Sequence, residues 1–153
     1  MMKVLTTGEN RHRLEEADGT HVGWIHGRAL GFRGMRSEAE ALAAVATAWR
    51  SFDAALRRHY FGRPAHETTL DQLRLVHDGA YEWVTDGRAP LARLYRPGDV
   101  GGDFAIELVL PTYASEGVAI SVAQVVGGAL QAWRRGGPSA HVALAAPAAA
   151  VPA

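Results

Sequence analysis

An Asp-Gly pair followed by a tryptophan-centred apolar segment occurs twice in this chain, and it favours hairpins wherever it stands. The first copy runs from Asp18 to Gly34, DGTHVGWIHGRALGFRG, and the second from Asp78 to Pro97, DGAYEWVTDGRAPLARLYRP. Asp-Gly suits two-residue type I′ turns because both residues accept positive φ at low cost. Each copy continues with Trp-Ile or Trp-Val (Trp24-Ile25, Trp83-Val84), then Gly-Arg-Ala (Gly27-Arg28-Ala29, Gly87-Arg88-Ala89), then another apolar segment. An Arg-Leu pair precedes both turns (Arg13-Leu14, Arg74-Leu75), with the spacing drifting by one residue.

The pattern around the first copy predicts strands over residues 11–17, 20–25 and 29–34. Val22 and Trp24 are expected on one face of the second strand, with His21 and Ile25 on the other. Residues 1–10 carry no pattern and are expected to fray. A three-stranded meander leaves an apolar face that needs a cover, and the next segment supplies one. Ser37-Glu38-Ala39-Glu40 fits a capping box, in which Ser37 takes an early amide and Glu40 reaches back to the amide of Ser37. Beyond it Leu42, Val45, Trp49, Phe52 and Leu56 form one helical stripe, ending near Tyr60 with Gly62 and Pro64 beyond.

After a connector over residues 62–70, the second copy predicts strands over 72–77, 80–84 and 90–96. A glycine-rich loop at 97–102 leads to a further strand, Phe104 to Leu110, whose only charge is Glu107. Ser115 then caps a second helix over 116–135. Its apolar residues Val118, Val122, Val125, Val126, Ala129, Leu130 and Trp133 spread beyond one stripe, which predicts the more deeply buried of the two helices. Gly127-Gly128 marks a kink or a close approach of backbones. From residue 136 the sequence is Ala/Pro low complexity, expected to be a disordered tail.

The expected fold class is therefore α+β: an antiparallel sheet built from two ββ(β)α-type repeats, 11–60 and 72–135, with two long helices packed on one face. Residues 1–135 read as a single domain. A pseudo-two-fold axis would bring Trp24 and Trp83 into related positions and leave a groove between the halves as the natural binding site.

Composition narrows the functional classes. With no cysteine among 153 residues, disulfides, thiolate catalysis, zinc fingers and iron–sulfur ligation are excluded. The N-terminus shows no apolar h-region, so no signal peptide is expected, and the cytoplasm is the expected compartment. The uncharged segment 117–133 is short of a ~20-residue span and carries Ser121, Gln124 and Gln131, so no membrane helix is expected. The 16 basic and 16 acidic side chains cancel, with residues 1–66 at +3 and 67–153 at −3. That asymmetry helps the halves, or a second copy, attract each other; it lacks the field of a nucleic-acid binder.

Catalytic constellations are missing from the sequence. There is no HExxH or His-x-His, and His21 and His26, five apart on a strand, fall on opposite faces unless a bulge intervenes. No metal and no cofactor are expected. Gly98-x-x-Gly101-Gly102 lacks the Lys-Ser/Thr of a phosphate loop, and Gly-x-Ser-x-Gly does not occur. The first functional expectation is a small non-enzymatic interaction module that binds a protein, foremost itself, because open sheet edges invite isologous pairing.

The second is an anion or single-strand nucleic-acid binder. Its ligand-binding candidates are Trp24, Arg28, Arg33, Trp83, Arg88 and Arg93, interleaved with Tyr81 and Tyr95. The acidic neighbours Glu82, Asp86, Asp99 and Asp103 favour a solvated rim instead, with Arg stems lying over rings. The third is a small-molecule enzyme using His21, His77 or Glu107 between the halves, marked by a displaced histidine pKa.

Overall fold

A computed structural model describes residues 2–62, 72–98 and 102–136. Most of the 62–70 connector, the centre of the 97–102 loop and all but the first residue of the expected tail lie outside the described residues. The chain forms β1 (Lys3–Gly8), β2 (Arg11–Glu15), β3 (His21–His26), β4 (Ala29–Met35) and α1 (Glu38–His59). It then forms β5 (Arg74–Asp78), β6 (Tyr81–Thr85), β7 (Pro90–Tyr95), β8 (Phe104–Val109) and α2 (Glu116–Arg134). All eight strands pair antiparallel in one sheet, in the order β1-β2-β3-β4-β8-β7-β6-β5.

Both helices lie on one face of this α+β structure, and each crosses to the other half. α1 follows β4 yet packs on β8 and β7 as well as β4, whereas α2 follows β8 and packs on β3 and β4. The helices also pack on each other, so Leu30, Phe32, Met35, Ile106 and Leu108 share one core with Val45, Phe52, Val122 and Val126. Neither half keeps an apolar core of its own, because the strands of each are roofed by the helix of the other. Among the described residues no helix is long and apolar enough to cross a membrane.

Local chemistry explains the element ends. Ser37 Oγ accepts from the Glu40 amide at 3.1 Å, but Glu40 Oε2 accepts from the Arg36 amide at 3.3 Å rather than from that of Ser37. Ser115 caps α2 by accepting from the Val118 amide at 3.2 Å. The two Asp-Gly turns stand where hairpins were expected, with Gly19 at φ 90° and Gly79 at φ 63°. The first is a longer loop closed by Glu16–Thr20 bonding; in the second, Asp78 already pairs with Tyr81, so the two-residue turn is Gly79-Ala80.

Four expectations are corrected. Residues 3–8 are the edge strand β1, which shows no alternation because a one-sided edge strand buries little; only Val4 is half-buried. α1, not α2, is the more enclosed helix: Ala41, Ala43, Ala44, Val45, Ala46 and Ala48 are all buried, since alanines let it nest between sheet and α2. Val118, Ile120 and Val125 of α2 are only partly buried. In the sheet the counterpart of β3 is β7, so Trp24 on β3 and Trp83 on β6 do not occupy corresponding places. Finally, β3 carries an extra residue at Val22, between the Leu14–Gly23 and Glu15–His21 pairs, so His21 and His26 share a face after all.

Gly127 and Gly128 have different roles. A Cβ on Gly127 would run into the thioether of buried Met2, whereas one on Gly128 would meet nothing. Gly128→Ala is therefore expected to stabilise the protein by up to about 1 kcal/mol through helix propensity alone. Gly127→Ala is expected to gain nothing, because Met2 must move. Urea unfolding of both variants decides it; equal midpoints would count against the close packing of Met2.

Candidate functional site

The face of the sheet away from the helices carries one row of side chains that crosses every strand. Register places Leu5, Arg13, Trp24, Gly31, Glu107, Arg93, Trp83 and Val76 side by side, from edge to edge. Directly opposed residues project to the same face of a sheet. Trp24 is buried but stands outside the helix-side core.

The middle of the row is a built cluster. Gly31 on β4 has no side chain, so the indole of Trp24 lies over it and reaches Glu107 on β8, one strand further on. Trp24 Nε1 donates to Glu107 Oε2 at 3.0 Å, and the Tyr95 hydroxyl donates to Oε1 at 3.0 Å. Arg93 Nη1 stands 3.9 Å from the same Oε1, with its guanidinium 3.7 Å from the ring centre of Tyr81 and 4.5 Å from that of Tyr95. Trp24 and Tyr95 meet edge to face at 6.1 Å. Burial, then the adjacent Glu107 carboxylate, pushes the Tyr95 phenol up to about 12.

Beside this cluster opens a pocket of about 390 Å³ that straddles the β4–β8 junction. His21, His26 and Arg33 come from one half; Tyr95 and Glu107 come from the other. His21 Nε2 donates to the Gly23 carbonyl at 2.9 Å, and its Nδ1 accepts from Arg33 Nη1 at 2.9 Å. Those partners fix the neutral tautomer, because a proton on Nδ1 would face a guanidinium. Burial first, then the charge of Arg13, lowers the His21 pKa from its ordinary value.

The six candidate ligand-binding residues separate into three places. Trp24, Arg33 and Arg93 converge on the Glu107 cluster and its pocket. Trp83 and Arg88 line a second groove of about 560 Å³ near β5, with Arg74, Val76 and Pro90. Arg28 is exposed at one end of the sheet, where its Nε donates to the Leu110 carbonyl at 3.1 Å beside a hollow of about 200 Å³. Of the three candidate catalytic residues, His21 and Glu107 share the pocket, whereas His77 lies on the edge strand β5, 3.6 Å from Glu82. Arg96 ties Glu82 at 2.6 Å to Glu38 at 2.8 Å; its hydrogen bonds hold the Glu82 carboxyl below its usual range.

Two functional-looking residues escaped the sequence pattern. His12 is buried, with Nε2 at 2.9 Å from Glu116 and Nδ1 at 3.2 Å from Thr6, and it ties β2 to the start of α2. Gly31 lies inside an expected strand with nothing local to single it out, and its role emerges only once Trp24 lies across it. Among the described residues no group of three His, Asp or Glu side chains could hold a metal. No family model, no curated protein and no solved structure matches this chain.

Proposed function

We propose that the protein is a non-enzymatic binding module that works through the open face and free edges of its sheet, and that a second copy of the chain is its first partner. The carrying observation is the saturation of the open-face centre. Both oxygens of Glu107 and both ring nitrogens of His21 already have protein partners. A group so engaged is a structural anchor rather than a poised acid or base, since catalysis needs a free lone pair or proton aimed at substrate. Apolar side chains stand exposed toward both ends of the row instead: Leu5 on β1 and Val76 on β5.

The symmetric strand order supports reading the chain as two ββββα units. They align β1 with β5 and β4 with β8, one strand out of step with the Asp-Gly turns. A fold of this kind leaves two edges, and edges that pair their own copy give closed dimers. Native mass spectrometry of gently purified protein tests the reading. A dimer without added mass is expected; a monomer carrying a metabolite or metal would overturn it.

One observation favours a second reading. Among the described residues Arg33 has no carboxylate partner, and it stands beside Trp24 at the pocket rim. An anionic ligand there would lose affinity, and part of its salt dependence, on Arg33→Ala.

A further inference from the structure

We infer that β5 is the self-association edge, pairing antiparallel with β5 of a second copy about a two-fold axis at Val76. This rests on the self-associating module proposed above and names the surface. Among the described residues β5 is the last strand of the sheet, and one row of its backbone N–H and C=O groups has no described strand beside it. Its sequence is Arg74-Leu75-Val76-His77-Asp78. An isologous antiparallel pair centred on Val76 sets Arg74 opposite Asp78 of the second copy, and Asp78 opposite Arg74, while Val76 meets Val76.

All three residues alternate onto the open face, where they are exposed, and among the described residues neither Arg74 nor Asp78 has an ion-pair partner. Opposite charges facing each other across strands are favourable, and like charges are not. A parallel arrangement in register would set Arg74 against Arg74 and Asp78 against Asp78. The charges therefore select one direction and one register.

The other edge is built differently. β1 pairs β2 with a register break between Thr6 and Gly8, a bulge of the kind that turns an edge away from pairing. Centred on Leu5, β1 would oppose Lys3 to Thr7, with no charge to complement it. β5 pairs β6 residue for residue along its whole length, from Arg74–Thr85 to Asp78–Tyr81, and is regular enough to template a partner. Joined there, the two open faces become continuous. Trp83, next to Val76 in the row, then flanks the Val76 pair on either side, in an apolar strip that crosses the junction.

The absence of cysteine gives a clean test in the full chain. Directly opposed residues of an antiparallel pair have Cα atoms about 4.5–5.5 Å apart, within disulfide reach. Val76→Cys is expected to oxidise to a covalent dimer, and Leu5→Cys to remain monomeric on denaturing gels. Arg74→Asp alone and Asp78→Arg alone are each expected to weaken the dimer roughly tenfold or more. An equimolar mixture of the two is expected to recover a heterodimer, because unlike charges then face each other again. A wild-type dimer with no Val76→Cys cross-link and no recovery on mixing would overturn the edge assignment alone. A wild-type monomer at all concentrations would overturn the self-association reading together with it.

Discussion

Gly31→Ala is expected to lower the free energy of unfolding by about 3 kcal/mol, although it adds one methyl group to a strand. Gly31 has no positive φ, so the effect is not backbone strain. The new Cβ would fall within the indole of Trp24, which lies across β4 to reach Glu107. The ring must swing away, which removes a hydrogen bond from a carboxylate that is nine-tenths buried and exposes an aromatic surface now packed on Tyr95. The coupling gives the check. In a Trp24→Ala background the same glycine substitution should cost far less, and urea unfolding of the four proteins of that double-mutant cycle measures the difference. Additive losses would show that the indole does not depend on the missing side chain.

The second large effect belongs to Glu107. Removing its carboxylate by Glu107→Ala leaves Trp24 Nε1 and the Tyr95 hydroxyl without their acceptor and Arg93 without its nearest anion, and about 3 kcal/mol is expected to be lost. Glu107→Gln keeps an oxygen for the indole and offers an amide to the phenol oxygen, so about 1 kcal/mol is the expected cost.

The glutamine variant carries a pH signature that packing alone would not move. Tyr95 is protonated up to about 12 in the fold, against an ordinary 10.0 in the open chain. A raised folded pKa means that the unfolded chain releases its proton first. The stability this contributes is complete below about pH 10 and disappears as pH rises toward about 12. Burial is the larger cause and the Glu107 charge the next, so in Glu107→Gln the phenol should titrate lower, though still above 10.0. Absorbance titration of tyrosine reads this directly. An unchanged midpoint would disconnect Glu107 from Tyr95.

Much of the scaffold is legible without coordinates. Turn residues, capping serines and the 3.6-residue stripe act over a few positions, so Asp18-Gly19, Ser37, Ser115 and the Leu42–Leu56 stripe each mark an element whose structure follows within a residue or two. In FAIELVL Glu107 stands out as the only charge of its strand. Its identity as the centre of a cluster was not visible, because its donor Trp24 lies 83 positions away. The bulge at Val22 was equally hidden, and one inserted residue moved His21 to the face of His26.

Local chemistry in the sequence determined the hairpins, the helix starts, the absence of cysteine chemistry and the need for a cover on one sheet face. Only tertiary structure decided that β4 pairs with β8, that each helix roofs the other half, and that β1 and β5 are left as edges. Strand order depends on which apolar faces can be buried together, and no residue carries that information by itself. The open-face row exists because seven separate strand registers fall into step, so Gly31, Trp24 and Glu107 acquire their roles only when the two halves join.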